Sequence, residues 1–184
     1  MSEHVCPWWL AWTFDNPLRR LIHPPRRILE PYVREGGTVA DLGAGMGYFS
    51  LALANLVGPS GRVLAIDLQA AMLERAQRKA ARHKLSSRIT FRQCTSTRLG
   101  LEEAVDFVLA FWMLHEVSDQ AEFFAQLAST LKPGAAFLVV EPRGHVTGTA
   151  SESSLKTAAA TGLKAHSRPQ IALSRAAVLQ LVEG

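Results

Sequence analysis

Two rhythms alternate along this chain. Short apolar runs at Thr38–Asp41, Arg62–Asp67, Arg88–Gln93, Ala104–Phe111 and Phe137–Glu141 have the length and aliphatic content of strands. Between them, apolar residues recur at helical spacing. Ile28, Leu29, Tyr32 and Val33 mark a helix that stops before Gly36-Gly37, and Leu51, Leu53, Ala54 and Val57 mark another, ended by Gly58-Pro59. Ala70 to His83 reads as a long Ala-rich amphipathic helix. Gln120 to Leu131 turns Phe123, Phe124 and Leu127 inward and is closed by Lys132-Pro133-Gly134. A helix over Glu152 to Thr161 ends at Gly162, after which Leu163–His166 and Ala176–Val182 form a last β-hairpin. The almost unbroken apolar run from Ala104 to Phe111 is the pattern of a strand buried on both faces. Strands alternating with helices predict an α/β fold, with a parallel sheet linked by right-handed crossovers.

Residues 1–24 break the rhythm. Trp8, Trp9, Trp12 and Phe14 crowd together and prolines follow at 17, 24 and 25. This segment is expected to be an aromatic flap packed on the core or a lid over a binding site, with residues 25–184 forming a single domain. At 184 residues and 48% hydrophobic, the chain is long and apolar enough for one substantial core. The net charge of +4 is modest. The densest basic group, Arg75, Arg78, Lys79, Arg82, Lys84 and Arg88, surrounds one helix and its exit and reads as a solvated face rather than a nucleic-acid surface. Cys6 and Cys94 have neither disulfide-framework nor metal-ligand spacing, so no metal is expected. No basic segment leads into an apolar one at the N-terminus, and no apolar run reaches the roughly 18 residues needed to span a bilayer. A cytoplasmic protein is the expectation.

The candidate chemistry begins where the first strand ends. Asp41-Leu42-Gly43-Ala44-Gly45-Met46-Gly47 places an acid ahead of three glycines on alternate positions, and an apolar helical pattern follows. Glycine lets the backbone turn tightly and approach a ligand that a side chain would repel. The second strand also ends in an acid, Asp67, twenty positions after Gly47, where a βαβ nucleotide site grips ribose hydroxyls. A dinucleotide fingerprint spaces its glycines differently and receives a pyrophosphate, which Asp41 would repel. An acid at that point suits a cation such as an α-ammonium group. A nicotinamide oxidoreductase therefore fits poorly.

Asp-Leu-Gly-Ala-Gly-Met-Gly resembles motif I of the class I S-adenosylmethionine-dependent methyltransferases. The resemblance continues through Ala65-Ile66-Asp67-Leu68, Val105 to Phe111 and Leu131 to Pro142, and covers roughly residues 25 to 182. It implies a Rossmann-like fold: a seven-stranded, mostly parallel sheet with helices on both faces and a C-terminal antiparallel hairpin, strand seven lying between five and six. It implies S-adenosylmethionine as cofactor. Gly43, Ala44, Gly45 and Gly47 would meet its amino-acid part, with Asp41 behind them holding the ammonium group directly or through water. Asp67 would accept from two ribose hydroxyls and Leu68 would pack on the adenine. Family members often place an acid after strand three, where this chain has Gln93-Cys94-Thr95-Ser96-Thr97. Thr95 or Ser96 would then contact the adenine without a charge.

Phe111 closes strand four beside the cofactor, and the residues after it lie near the reacting centre in the resembled fold. His115 is the general-base candidate, its pKa lying near neutrality. Tyr48, Glu116, Glu141, Arg143 and His145 rank below it. The Asn/Asp-Pro-Pro-aromatic signature of base-amine methylation is replaced by Phe111-Trp112-Met113-Leu114, which favours a small-molecule acceptor over nucleic acid. An RNA or protein methyltransferase, or a non-catalytic cofactor-binding partner subunit, are the alternatives. Closure of the site by the N-terminal segment or by a second copy in a homodimer both stay open.

Overall fold

The computed structural model describes residues 17–182; the aromatic cluster between Trp8 and Phe14 lies outside them. The strands are β1 (Thr38–Leu42), β2 (Arg62–Asp67), β3 (Ile89–Gln93), β4 (Val105–Phe111), β5 (Leu131–Pro142), β6 (Leu163–Ser167) and β7 (Ser174–Leu181). They form one sheet in the order β3-β2-β1-β4-β5-β7-β6. Pairings from β3 through β5 are parallel, and β7 runs antiparallel to both neighbours. This is the Rossmann-like methyltransferase arrangement expected from the sequence. The helices are α1 (Pro17–Ile22), α2 (Pro25–Leu29), α3 (Tyr48–Leu56), α4 (Ala70–Arg82), α5 (Gln120–Ala128) and α6 (Gly148–Ala160).

The apolar run of β4 has the predicted cause. Phe107, Leu109 and Phe111 enter the cluster shared with Leu53 and Val63, while Val108 and Ala110 enter the opposite cluster with Phe124, Leu127 and Phe137. Both faces are covered, so alternation of polarity disappears. Fully burying one such large side chain is worth about 1.5–3 kcal/mol.

Three helix boundaries differ from expectation. The helix expected through Tyr32 and Val33 stops at Leu29, because Pro31 has no N–H to continue the ladder. Tyr32 still packs inward from a turn, its ring stacked 5.8 Å from that of Phe107. The helix expected to reach Leu131 ends at Ala128. The hydroxyls of Ser129 and Thr130 donate back to the carbonyls of Gln126 and Leu127 at 2.7 and 2.8 Å, which competes with continued helix. Leu131 then pairs with Val105, so Lys132-Pro133-Gly134 lies within β5 rather than ending a helix. The last helix starts earlier than expected, at Gly148, where the Thr147 hydroxyl accepts from the N–H of Ala150. Among the described residues, no helix is long and apolar enough to cross a membrane.

Candidate active site

The carboxyl ends of β1, β2 and β4 lie side by side: Asp41 is in register with Ala65 of β2 and Leu109 of β4. A crevice at such strand ends is where open α/β sheets bind ligands. After Leu42 the chain turns through Gly43 (φ +69°) and Gly45 (φ +53°), backbone conformations that disfavour side chains. The glycines of this loop have different neighbours. A Cβ on Gly43 would meet the Met113 Cβ at 2.8 Å, and one on Gly47 would meet the Ala76 Cβ at 3.0 Å. A Cβ on Gly45 meets nothing within 4 Å. Two glycines thus admit packing neighbours, and Gly45 faces open space. Ala44 is buried, its N–H donating to the Ile66 carbonyl at 3.0 Å.

The Gly45 N–H donates to Oδ2 of Asp67 at 2.8 Å, and the Gln69 N–H donates to Oδ1 at 2.8 Å. Burial raises the Asp67 pKa, and these two N–H groups oppose the rise. Each carboxylate oxygen keeps a further lone pair for a ligand hydroxyl. Leu68, next along the chain, is 36% exposed, an unusual position for a large aliphatic residue in this fold. Beyond β3, Thr95 and Ser96 are exposed. Thr95 closes a turn with Arg98, its N–H donating to the Arg98 carbonyl and its hydroxyl accepting the Arg98 N–H. The Cys94 N–H donates to the Asp67 carbonyl, which keeps that turn beside the site. Burial pushes the Cys94 thiol up to about 11, so it is a packing residue rather than a nucleophile.

Asp41 is buried behind the loop and accepts from the Ser50 hydroxyl at 2.5 Å. Its pKa is pushed up to about 7, chiefly by burial; Asp67 adds to the rise, while Ser50 and Arg19 oppose it. The Arg19 guanidinium comes from α1 and lies 4.5 Å from the Tyr48 ring centroid, 5.6 Å from Phe49 and 5.9 Å from Phe111. Phe111 is 6% exposed, its ring 4.4 Å from Phe49, so it forms a wall beneath this aromatic box. His23, also buried, contacts the Ala172 carbonyl through Nε2 at 2.8 Å and packs edge-on against Phe111 and Trp112. Tyr48 donates its hydroxyl to the His23 carbonyl at 2.9 Å. Arg19 and His23 therefore pack against the glycine-loop side of the domain.

Beyond β4, Trp112 adopts φ +59°, a strain of about 1–2 kcal/mol for a residue with a Cβ. It is held by its N–H on the Val140 carbonyl at 2.7 Å and by Nε1 on the Ser174 hydroxyl at 3.0 Å. The turn sends Met113 against Gly43 and brings the next two residues onto Glu141. The N–H groups of Leu114 and His115 donate to Oε1 and Oε2 of Glu141, each at 3.1 Å, and the His115 Nδ1 lies 2.9 Å from Oε2. Glu141 is 5% exposed. Its hydrogen bond is the main reason the His115 pKa is raised, burial opposing it. A proton on Nδ1 facing the carboxylate leaves Nε2 as the basic nitrogen. His145 stacks on His115 with ring centroids 6.2 Å apart. Glu116 begins the way out of this turn, its N–H on the Met113 carbonyl.

The structure thus gathers Asp41, the glycine loop and Asp67 into one cradle, with Leu68 at its rim and Thr95 and Ser96 on the turn beside it. His115 and Glu141 form a separate dyad, joined to the cradle through Met113. Sequence reasoning missed Ser50, Arg19, His23 and Ser174. None sits in a motif; each matters only because a distant segment folds against it.

A family model described as a methyltransferase domain matches residues 34–175. Over 110 residues the chain is 31% identical to the ubiquinone/menaquinone biosynthesis C-methyltransferase UbiE of Hahella chejuensis, covering 59% of this chain and 44% of that protein. It is 32% identical to the enzyme of the same name from Pseudomonas paraeruginosa, over 59% of this chain and 43% of that one. The matched stretch is therefore less than half the length of these relatives. Among solved structures, a SAM-dependent methyltransferase from Aquifex aeolicus superposes with a TM-score of 0.86 at 22% identity, covering 97% of this chain and 100% of that one; this likeness is one of fold.

Proposed function

The chain belongs to the methyltransferase-domain family, and we propose that it transfers a methyl group from S-adenosylmethionine to a small-molecule acceptor. The residues present fit that cofactor. Gly45 opens onto free space, Asp67 keeps acceptor capacity at a strand end, and Asp41 is a buried carboxylate whose ionisation a neighbouring cation would favour. In this reading Asp67 accepts the ribose hydroxyls, Leu68 covers the adenine, and the backbone around Gly45 meets the amino-acid part, with Asp41 behind it. Thr95 offers little beyond its turn, which leaves Ser96 as the uncharged contact for the adenine. When bound, S-adenosylmethionine supplies a methyl group on a sulfonium, ready for in-line displacement.

The chain's own chemistry is then alignment and proton removal. His115 takes the acceptor's proton on Nε2, and Glu141 fixes the tautomer and stabilises the imidazolium that forms. Such a base serves an acceptor that gives up a proton from carbon or oxygen, and the C-methylating relatives support that class. Trp112 and Met113, half-buried beside Phe111, add apolar surface suited to a small organic molecule.

The observation that carries this proposal is the junction of Gly45 and Asp67 at the ends of β1 and β2. The test is incubation with methyl-labelled S-adenosylmethionine and separate pools of small phenols and enols, bulk RNA, and protein. Label is expected in the small-molecule pool and is expected to fall at least tenfold in His115→Ala. Label confined to RNA or protein, or none in any pool, would overturn the proposal.

A further inference from the structure

Resting on that reading, we propose that the methyl acceptor carries an anionic group, a carboxylate or a phosphate, and that Arg143 and Arg175 hold it. A cleft of about 180 Å³ opens where β5, α6 and β7 meet. Leu114, Glu141 and Ala177 are among the residues that line it, so it begins at the His115–Glu141 dyad and extends away from the glycine loop. Both arginines also line it, brought there by the sheet: Arg175 is the cross-strand partner of Glu141, and Arg143 follows Pro142 with its N–H on the Leu173 carbonyl.

Each guanidinium is anchored by one nitrogen. The Arg143 Nε donates to the Ser174 carbonyl at 2.9 Å, and the Arg175 Nε donates to the Val146 carbonyl at 3.0 Å. Among the described residues, the terminal nitrogens of both make no hydrogen bond within the protein. A planar fork held at Nε with its outer N–H groups free is preorganised for two-point contact with a carboxylate or phosphate. The Arg175 guanidinium lies across the first residue of α6, where a Cβ on Gly148 would stand 3.9 Å from its central carbon.

The local acids cancel these charges only in part, because three arginines line the cleft against two glutamates. Glu152 is engaged by both terminal nitrogens of Arg168, and Glu141 accepts from Leu114, His115 N–H and His115 Nδ1. That leaves two guanidinium forks facing the one carboxylate of Glu141, in a cleft lined by polar side chains as well as Leu114, Val139 and Leu155, beside the group that removes the acceptor's proton. A neutral acceptor would make no charge-assisted bond to either fork. An anionic one pairs with them and is oriented by them.

The probes are benzoate, the neutral analogue benzamide, and phenyl phosphate, titrated into the full chain with no cofactor and followed by ligand-detected NMR. This binding measurement needs no turnover, so its failure is separate from failure of the methyl-transfer reading. Wild-type protein is expected to bind benzoate or phenyl phosphate at least tenfold more tightly than benzamide. The tighter of the two anions identifies the group. In the Arg143→Met, Arg175→Met double variant, the anion's affinity is expected to fall at least tenfold, with the fold checked by circular dichroism. The wild-type contrast between benzoate, phenyl phosphate and benzamide tests the same claim without any variant. Equal binding of all three probes to wild type, or undiminished anion binding by a folded double variant, would overturn the proposal.

Discussion

Replacing Asp41 with asparagine removes an acid that the fold buries and that the cofactor is proposed to need. The rise in its pKa from 3.8 to about 7 has burial as its largest cause. At about 1.4 kcal/mol for each pKa unit, ionising Asp41 in the folded protein costs about 4 kcal/mol more than in the unfolded chain. Below pH 3.8 both states hold the proton and this cost is absent. As pH climbs toward 7 the unfolded chain gives up the proton first, so stability falls. Roughly 3 kcal/mol of that loss lies between pH 5 and pH 8. Asp41→Asn has no such proton, and its other effects, including an altered contact with Ser50, do not vary with pH. Urea unfolding of both proteins at the two pH values should therefore show the variant gaining roughly 3 kcal/mol on wild type. A cation beside Asp41 should reverse the balance. At pH 6.5, binding of S-adenosylmethionine should release up to about three quarters of a proton from wild type and none from the variant, read by calorimetry in buffers of different ionisation enthalpy. Parallel stability curves, with equal proton release, would refute the reasoning.

The two inner glycines of the loop should respond differently to a methyl group: Gly43→Ala meets Met113 and should cost at least about 2 kcal/mol in chemical denaturation, whereas Gly45→Ala should cost only about 1 kcal/mol for its positive φ yet lose the larger share of cofactor affinity. The acid limb of kcat/KM should lie above pH 6.5, the ordinary imidazole value, because Glu141 raises the His115 pKa, and Glu141→Gln should move that limb to lower pH while lowering the rate. For the same reason the His115–Glu141 pair stabilises the fold fully below pH 6.5, and its contribution should fade as pH rises through the higher folded value; His115→Ala should flatten that part of the stability profile in urea unfolding. Ser174→Ala removes the hydroxyl that accepts from Trp112 Nε1 and should cost about 1 kcal/mol, measured by thermal unfolding.

The legible parts of this molecule were those written in local pattern. β2 and its terminal Asp67 read directly from the sequence, because a strand and the residue at its end are fixed by neighbours in the chain. The acid–glycine loop was equally visible, since tight turns need glycine. What stayed hidden depended on contacts between distant segments. Asp41 and Ser50 lie on successive elements and nothing in their spacing signals a buried pair. Glu141 and His115 were both candidates, but their dyad exists only because β5 runs beside β4. The helix expected to end at Lys132-Pro133-Gly134 starts at Gln120 as read but ends at Ala128 for a related reason: hydroxyl groups at Ser129 and Thr130, together with pairing of Leu131 to Val105, outweighed a pattern that reads as a proline–glycine stop.

The most direct test of the central claim is a calorimetric titration of the full chain with S-adenosylmethionine, with Asp67→Asn and NADH as controls. The account predicts saturable one-to-one binding to wild type, at least tenfold weaker binding to Asp67→Asn, and none of NADH. Absence of binding to folded wild type, equal binding to the variant, or binding of NADH in its place would contradict it.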